Sequence, residues 1–411
     1  MLKSFKVKNF KSFKDEVEFS MEKGNTTGFE NFNTIEEKEL LKSALIFGAN
    51  ASGKSNVFLA MAKMKEIVFN SSTDDTEYQI NVDTFKFDVY SKNEPVMFEI
   101  DFIQKDIEYI YGFEVLNEKI NKEWLKRKIK STVPLFIREN SEWESIKISH
   151  GFKEAENLKK FTRQNALFLS IASRFNIEIA TEIKEWFKNF KILSSDVLSS
   201  SFTLNLLEKE LEKTKIVNFL KTADLGIEDL VVEKEEMSSE TVFLPSEIKR
   251  TLSEIKEGRL FKPIIKSVHK VYDKENNHSG NVELDFNFES EGTKKFLTLA
   301  GPIIDALENG KVLVIDELSS KLHYQLSDYI VRLFNSIDKN KNNAQLIFNS
   351  HLPLFLDNKE FRKDQIWFVE KDEYGKSKLY SLYDINVRKD LSYMKGYLLG
   401  KFGAVPDIRE F

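Results

Sequence analysis

The chain of 411 residues contains no cysteine at all. This absence excludes a disulfide-stabilised scaffold, a cysteine-ligated zinc site, an iron–sulfur cluster and a thiolate nucleophile. Any chemistry must therefore depend on oxygen and nitrogen groups. The length allows two or three domains with large cores.

Long apolar runs and arginine are also scarce. No apolar stretch approaches the ~20 residues of a membrane-spanning helix, and Met1–Phe10 lacks the apolar core of a signal peptide, so we expect a cytoplasmic protein that does not enter a membrane. Only 10 Arg are present and the net charge is −5. Nucleic-acid-binding domains usually carry a basic excess, so DNA contact remains possible but is not supported by charge.

The strongest motif is Gly48–Ser55, which satisfies G-x-x-x-x-G-K-[ST]. It follows Ser43–Phe47, whose unbroken apolar pattern is typical of a buried parallel strand, and precedes helical spacing over Asn56–Phe69. Such a loop wraps nucleotide phosphates, Lys54 reaches the β- and γ-phosphates, and the Ser55 hydroxyl binds Mg²⁺. The residues predicted to hold the nucleotide here are Gly48, Asn50, Ala51, Ser52, Gly53, Lys54, Ser55 and Asn56.

Two further strand ends carry polar residues. In Lys311–Glu317 (KVLVIDE), four apolar residues precede Asp316, which we predict to hold Mg²⁺, and Glu317, which we predict to be the general base. A capped strand end is the simpler explanation of this pattern taken alone. Ala344–Phe348 is followed by Asn349-Ser350-His351, where His351 is either a structural histidine or, beside a phosphate loop, a sensor of the γ-phosphate. Lys54, Glu317 and His351 are thus the predicted catalytic groups.

The remaining patterns suggest three parts. Residues 1–150 are predicted to form an N-terminal lobe with the phosphate loop, a hairpin over Lys3–Phe19 and a β-meander over Asp83–Val115. Residues 151–262 read as an all-helical insertion, and residues 263–411 as a C-terminal lobe. That lobe contains strand patterns at 266–273 and 282–288 and a helix at 295–307, before which Ser290 or Thr293 could be a helix N-cap.

The order of these motifs resembles the ABC-type ATPases of the SMC/RecF kind. The motifs are a Lys-rich N-terminal segment (FKVKNFKSFKD), the phosphate loop, a helical insertion, Ser290-Glu-Gly292-Thr293, VLVIDE and NSH. The resemblance implies an α/β P-loop ATPase head with a mixed sheet, an antiparallel β-subdomain and a helical insertion lobe. It also implies two heads, paired head to tail as a homodimer or within a larger oligomer, with ATP and Mg²⁺ sandwiched between them. Ser290 and Gly292 would then contact the γ-phosphate bound by Lys54 of the other subunit, and His351 would be the switch histidine.

The closing segment is similar to that of a narrower group. Asp364–Phe368 (DQIWF) and Tyr397–Pro406 resemble the end of RloA/AbiL-type ATP-binding proteins of bacterial abortive-infection and anti-phage loci. This likeness implies a regulatory ATPase that controls a separately encoded effector, with a Toprim-like RloB-family nuclease as the expected partner. Consistent with that division, no D-x-D or His-Asn-His cluster follows Glu317.

Two features depart from the resembled pattern, and one further assignment stays open. Glu291 stands where a second signature glycine is usual, and Ser319 stands where the loop after the acidic strand end commonly has Asp. The Mg²⁺-linked glutamine could be Gln79 or Gln104.

The competing functional hypothesis is a DNA-binding repair or chromosome-maintenance ATPase. A GTPase-like switch is disfavoured because the guanine-recognition motif N-K-x-D is missing.

Overall fold

The computed structural model describes most of the chain. The described residues are 1–26, 30–73, 78–194, 201–236, 255–256, 259–357, 361–387 and 392–406. They separate into two compact units, of which the first comprises Met1–Ser194, Asn309–Leu318 and Val331–Phe411, and the second comprises Ser195–Glu308 and Ser319–Ile330.

The α-helices in the described ranges are α1 (Glu30–Asn33), α2 (Lys54–Asn70), α3 (Phe168–Arg174), α4 (Glu178–Asn189), α5 (Ser201–Leu207), α6 (Glu210–Lys221), α7 (Glu291–Asn309), α8 (Tyr324–Asn335), α9 (Leu354–Asp357) and α10 (Tyr393–Leu398). The strands there are β1 (Leu2–Lys8), β2 (Val17–Ser20), β3 (Thr34–Ile35), β4 (Leu40–Leu41), β5 (Ser43–Phe47), β6 (Val96–Gln104), β7 (Ile107–Leu116), β8 (Lys119–Lys128), β9 (Thr132–Arg138), β10 (Ile146–Ile148), β11 (Phe190–Leu193), β12 (Ile227–Glu236), β13 (Ile255–Lys256), β14 (Arg259–Tyr272), β15 (His278–Asp285), β16 (Val312–Ile315), β17 (Gln345–Asn349), β18 (Ile366–Lys371) and β19 (Ser377–Ser381).

A six-stranded mixed sheet positions the motifs in the first unit. Its order is β11-β16-β17-β5-β18-β19, and all neighbours are parallel except β18 and β19. Strands β5, β16 and β17 are buried along their whole length, as the apolar runs that they contain predict. Because these three strands are adjacent and parallel, the residues that follow them meet at one edge of the sheet.

A seven-stranded antiparallel sheet forms the β-subdomain of the same unit. Its order is β10-β9-β8-β7-β6-β1-β2, so the N-terminal hairpin is continuous with the meander. The inward residues of both sheets and of α2, α3 and α4 share one apolar core. The predicted α/β class with a mixed sheet and an antiparallel β-subdomain is confirmed by this topology, as are the hairpin, β5 and α2.

The second unit combines helices with a separate sheet. Strands β12, β14 and β13 are neighbours in that order, and β15 pairs with β14. Helix α6 packs on this unit's other helices through a stacked ring pair, Phe219 and Phe296, whose centroids are 4.7 Å apart. The predicted strand at 266–273 overlaps β14, and the predicted helix at 295–307 lies inside α7. The strand predicted at 282–288 overlaps β15 only as far as Asp285, because Phe286–Phe288 forms a 3₁₀ helix.

Two sequence predictions are wrong. The insertion over 151–262 is not all helical, because Ile227–Glu236 forms β12 and pairs with β14, which buries Leu230. The strand expected around Phe85–Val89 is absent because the Asp88 carboxylate accepts hydrogen bonds from the backbone N–H groups of Tyr90 and Ser91 and so forms a turn.

Residues 195–200, 237–254 and 257–258 of the insertion lie outside the described residues. The boundaries at 150 and 262 stay a prediction.

None of the helices in the described part of the chain combines the length and the hydropathy of a membrane span.

A buried carboxylate joins the antiparallel sheet to α3. Glu123 on β8 is fully buried and accepts hydrogen bonds from Tyr111 Oη at 3.0 Å and from the N–H groups of Phe168 and Leu169 at 2.7 and 3.0 Å. These two amides open α3, where no intrahelical partner exists for them. Arg138 lies opposite Glu123 in the β8–β9 register and is also fully buried. The burial of Glu123 raises the pKa of its carboxyl group, and the Arg138 charge opposes this rise.

We therefore expect Glu123→Ala to lower the free energy of unfolding by about 3–5 kcal/mol, since it leaves two helix amides and the Tyr111 hydroxyl without their acceptor and removes the negative charge that faces the buried Arg138 guanidinium. Urea denaturation measures this loss. Glu139→Ala is the matched control, because Glu139 pairs with Lys147 on the surface, and we expect a change below about 1 kcal/mol. Equal losses in the two variants would contradict a special role for Glu123.

Candidate functional site

The phosphate loop connects β5 to α2 through two positions that require glycine. A Cβ atom at Gly48 would lie 2.6 Å from Ser52 Oγ and would collide with the carbonyl oxygen of Val369. Gly53 has a φ of 110°, and a Cβ atom there would lie 2.6 Å from Ser377 Oγ. Both glycine positions of the loop are thus packed closely against protein, and this geometry admits no side chain at either of them.

Lys54 lies folded over this loop. Its ammonium donates hydrogen bonds to the carbonyl oxygens of Gly48 and Ala49, both at 2.8 Å, and the side chain is 5% exposed. Burial lowers the pKa of Lys54 to about 8, although the Glu317 and Asp316 carboxylates oppose this shift. Phosphate oxygens would give this buried cation an anionic partner that carbonyl oxygens do not supply.

The other predicted phosphate-binding side chains differ in their surroundings. Asn50 and Ala51 are exposed, with Ala51 in the left-handed region at a φ of 60°. Asn56 donates from Nδ2 to Ser12 Oγ at 2.8 Å, so it contacts the turn between β1 and β2. Ser52 Oγ is buried with no hydrogen-bond partner, which leaves a polar group inside the loop for a ligand oxygen or water.

Ser55 and Asp316 connect the loop to the acidic strand end. Ser55 Oγ donates to Asp316 Oδ1 at 3.0 Å, and Asp316 follows β16 directly. Two neighbouring ligands of an octahedral Mg²⁺, each about 2.1 Å from the ion, stand about 3 Å apart, so this oxygen pair fits that ion. Within the described part of the chain, no three His, Asp or Glu side chains form a metal cluster. A Mg²⁺ ion here would take its remaining ligands from phosphate and water, as it commonly does.

Asn349 is a site residue that the sequence prediction missed. It ends β17, between β16 and β5, and is fully buried. Its Nδ2 donates to Asp316 Oδ1, and its Oδ1 accepts from the Glu317 backbone N–H at 2.5 Å. One amide group thus orients both predicted carboxylate residues. Its place in the NSH run, directly after a buried strand, was the only signal in the sequence.

Glu317 and His351 complete the group at this edge. Glu317 has a φ of 53°, a left-handed conformation that is uncommon for a non-glycine residue and that turns the chain just after β16. Burial lowers the pKa of His351, the Lys54 ammonium lowers it further, and Glu317 and Asp316 oppose the shift. The imidazole is therefore mainly neutral at pH 7, with one nitrogen able to donate and one able to accept a hydrogen bond.

The predicted signature residues lie in the second unit. Ser290 Oγ accepts a hydrogen bond from the Thr293 backbone N–H at 3.1 Å, so Ser290 is the N-cap of α7 that the simpler interpretation predicted. Gly292 lies in the first turn of that helix. The carboxylate of Glu291 lies between two ammonium groups, of Lys294 at 3.1 Å and of Lys321 at 3.0 Å. The signature role of Ser290 and Gly292 stays a prediction.

The two glutamine candidates are not resolved by their positions. Gln104 ends β6, opposite Ile107 of β7, and Gln79 is exposed in the segment after α2. In the first unit the structure therefore brings together Lys54, Ser55, Asp316, Glu317 and His351, which the sequence predicted, and Asn349, which it did not. The roles assigned to these residues stay predictions.

The comparison with protein families gives one match. A model of the family described as "AAA domain, putative AbiEii toxin, Type IV TA system" matches residues 43–357, a span that contains the phosphate loop, the acidic strand end and His351. No curated protein matches the chain.

Solved structures of SMC heads are similar to this chain over nearly its whole length. One is a SmcHead bound to the C-winged helix domain of ScpA, at 14% identity and a TM-score of 0.46, covering 97% of this chain and 99% of that one. Another is the SMC head domain from Thermotoga maritima, at 14% identity and a TM-score of 0.41, covering 94% and 99%.

The position of Asn349 leads to a testable expectation. In Asn349→Asp a third carboxylate replaces the amide donor beside Asp316, so we expect Mg²⁺-dependent nucleotide binding to weaken by about 10- to 100-fold, the usual cost of disturbing a group that orients a metal ligand. Asn349→Ala removes the amide without adding charge and should have a smaller effect. Calorimetric titration of a non-hydrolysable ATP analogue, with and without Mg²⁺, measures both. Equal affinity in wild type and Asn349→Asp would show that the amide does not orient the site.

Proposed function

The chain belongs to the protein family described as "AAA domain, putative AbiEii toxin, Type IV TA system", and we propose that it is a regulatory Mg²⁺-dependent ATPase of a bacterial abortive-infection system. Membership makes it a P-loop ATPase of the AAA type. The finer assignment, to the RloA/AbiL-type proteins that act in the cytoplasm against phage, extends this membership with the likeness of the closing segment.

One observation carries the proposal. The hydrogen bond from Ser55 to Asp316 joins the phosphate loop to the acidic strand end, and Asn349 joins Asp316 to Glu317. A loop for phosphates, two oxygen ligands for Mg²⁺ and a carboxylate next to them are the groups that hydrolysis of a nucleoside triphosphate requires.

Each side chain then has a defined task. Lys54 exchanges its carbonyl partners for β- and γ-phosphate oxygens and holds them in place. Glu317 accepts a proton from the water that attacks the γ-phosphorus, and the bond to the β–γ bridging oxygen breaks to release ADP. His351, mainly neutral at pH 7, donates a hydrogen bond to the γ-phosphate. Ser55 and Asp316 would hold Mg²⁺, which would neutralise charge that develops on the phosphate oxygens.

Association of two heads supplies the regulatory step in this proposal. Ser290 and Gly292 of one subunit complete the site of the other, so bound ATP bridges the pair as a homodimer or a larger oligomer, and hydrolysis separates it. The effector is a separate protein, with a Toprim-like nuclease of the RloB family as the expected partner. The toxin and antitoxin terms in the family description support such a pairing with a second component.

Two variants distinguish nucleotide binding from hydrolysis. We expect Glu317→Gln to bind ATP but to hydrolyse it about 10²- to 10⁴-fold more slowly, because the general base is lost, and to accumulate in the associated state. Lys54→Ala should lose every response to nucleotide. Phosphate release measures hydrolysis, and light scattering coupled to size-exclusion chromatography measures association.

The control is Glu275→Gln, which makes the same chemical change in an exposed turn of the second unit and should behave as wild type. If Glu317→Gln keeps the same oligomeric state with and without ATP, the sandwich is wrong. If GTP is hydrolysed in preference to ATP, the nucleotide assignment is wrong.

The effector assignment has its own test. Purified protein should leave DNA and RNA intact, since the chemistry of cleavage belongs to the partner. Cleavage that persists in Lys54→Ala would place a nuclease in this chain. Binding of duplex DNA that tightens with ATP and weakens steeply with salt would instead favour the DNA-repair or chromosome-maintenance hypothesis.

A further inference from the structure

Glu291, which departs from the resembled signature, contacts the loop after the acidic strand end within the second unit. Glu291 occupies a signature position where glycine is usual, and Lys321 lies in the loop after the acidic strand end, four residues beyond Glu317 in the sequence. Lys321 Nζ lies 3.0 Å from Glu291 Oε2. The unusual acid is therefore paired with a cation from the unusual loop.

The carboxylate of Glu291 is held from both sides. Its Oε1 pairs with Lys294 Nζ at 3.1 Å, one turn further along α7, while its Oε2 pairs with Lys321. The hydrogen bond from Lys321 lowers the pKa of Glu291 most, and the one from Lys294 lowers it further. Two ammonium groups and one carboxylate leave this end of α7 with a net charge of about +1, to which the helix N-terminus adds a partial positive charge.

The loop also contacts the helix through its backbone. A Cβ atom at Gly292 would lie 2.8 Å from the carbonyl oxygen of Lys321, so only glycine allows this approach. Lys321 itself has a φ of 63°, in the left-handed region. Both the carbonyl group and the side chain of Lys321 thus contact the first turn of α7.

We propose that Lys321 is a positioning residue, which holds the Glu291 carboxylate away from the groups of Ser290 and Gly292 that face the phosphate. The same ion pair links the start of α7 to the loop that follows Glu317. The inference rests on the proposed function, because it concerns the phosphate that the signature receives from the other subunit. Without the pairing, a free carboxylate in the first turn of α7 repels that phosphate. With the pairing, the carboxylate of Glu291 connects the start of α7 to the loop through an ion pair, which a glycine at this position could not form.

The size of the effect follows from exposure. Lys321 and Glu291 have side chains that are 58% and 63% exposed, so their pairing in the free subunit is weak and screened by salt. An exposed pair corresponds to a change of about two- to fivefold in an equilibrium constant.

A double-mutant cycle tests the inference. The proteins are wild type, Lys321→Ala, Glu291→Gln and the double variant, and the readouts are the ATP concentration for half-maximal association and the separate kcat and KM of hydrolysis. We expect Lys321→Ala to raise half-saturation and KM by about two- to fivefold with kcat little changed, and to have no effect in the presence of Glu291→Gln. Lys321→Arg should behave as wild type, and 0.5 M salt should abolish the difference.

Lys294→Ala is the matched control, since it removes the other ammonium from the same carboxylate and leaves the loop contact intact. We expect it to have a smaller effect than Lys321→Ala. Equal effects of the two variants would show that only net charge matters and would overturn the link to the loop.

The same effect of Lys321→Ala with and without the Glu291→Gln substitution, with wild type associating normally, would overturn the inference and leave the proposed function standing. A wild type that neither hydrolyses ATP nor associates with it would overturn both.

Discussion

The hydrogen bond between Ser55 and Asp316 is the interaction on which the site depends. It spans 261 positions of the sequence and joins the first helical turn of α2 to the end of β16. The bond is possible because β5, β17 and β16 are adjacent and parallel, so their C-terminal ends lie at one edge. Asn349, from the middle strand, then bonds to both acidic residues. A change in strand order would separate the phosphate loop, the acidic strand end and Asn349 from one another.

The sheet also explains how the sequence accommodates a large insertion. The first unit is interrupted after Ser194 and resumes at Asn309. The strands on either side, β11 and β16, are direct neighbours, with Phe190 opposite Val312, and the Asp316 backbone N–H donates to the Leu193 carbonyl oxygen at 2.9 Å. The segment Ser195–Glu308 therefore leaves from and returns to adjacent strands. Its length adds little to the cost of closing the loop, because that cost rises only with the logarithm of length.

Sequence patterns predicted the parts of this structure in which local and tertiary preferences agree. The strands β5 and β16 are uniformly apolar because both faces are covered, and α2 is preceded by a loop whose glycines admit no other residue. β12 was missed because its charged residues favour a helix when read alone, whereas pairing with β14 decides its conformation. Asn349 was missed because its role lies in two hydrogen bonds across strands, and no spacing along the chain encodes them.

The electrostatics of the site explain why it suits a substrate that brings both charges. Lys54 is buried against carbonyl oxygens, and burial lowers its pKa to about 8, so the folded protein holds a cation in an environment that disfavours charge. Asp316 and Glu317 stand nearby and offset that cost only in part. In the proposed function, a phosphate chain would supply the anion that Lys54 lacks, and the metal that accompanies it would supply the cation for Asp316. Each half of the substrate thus satisfies a different charged group of the protein, and neither half alone would satisfy both.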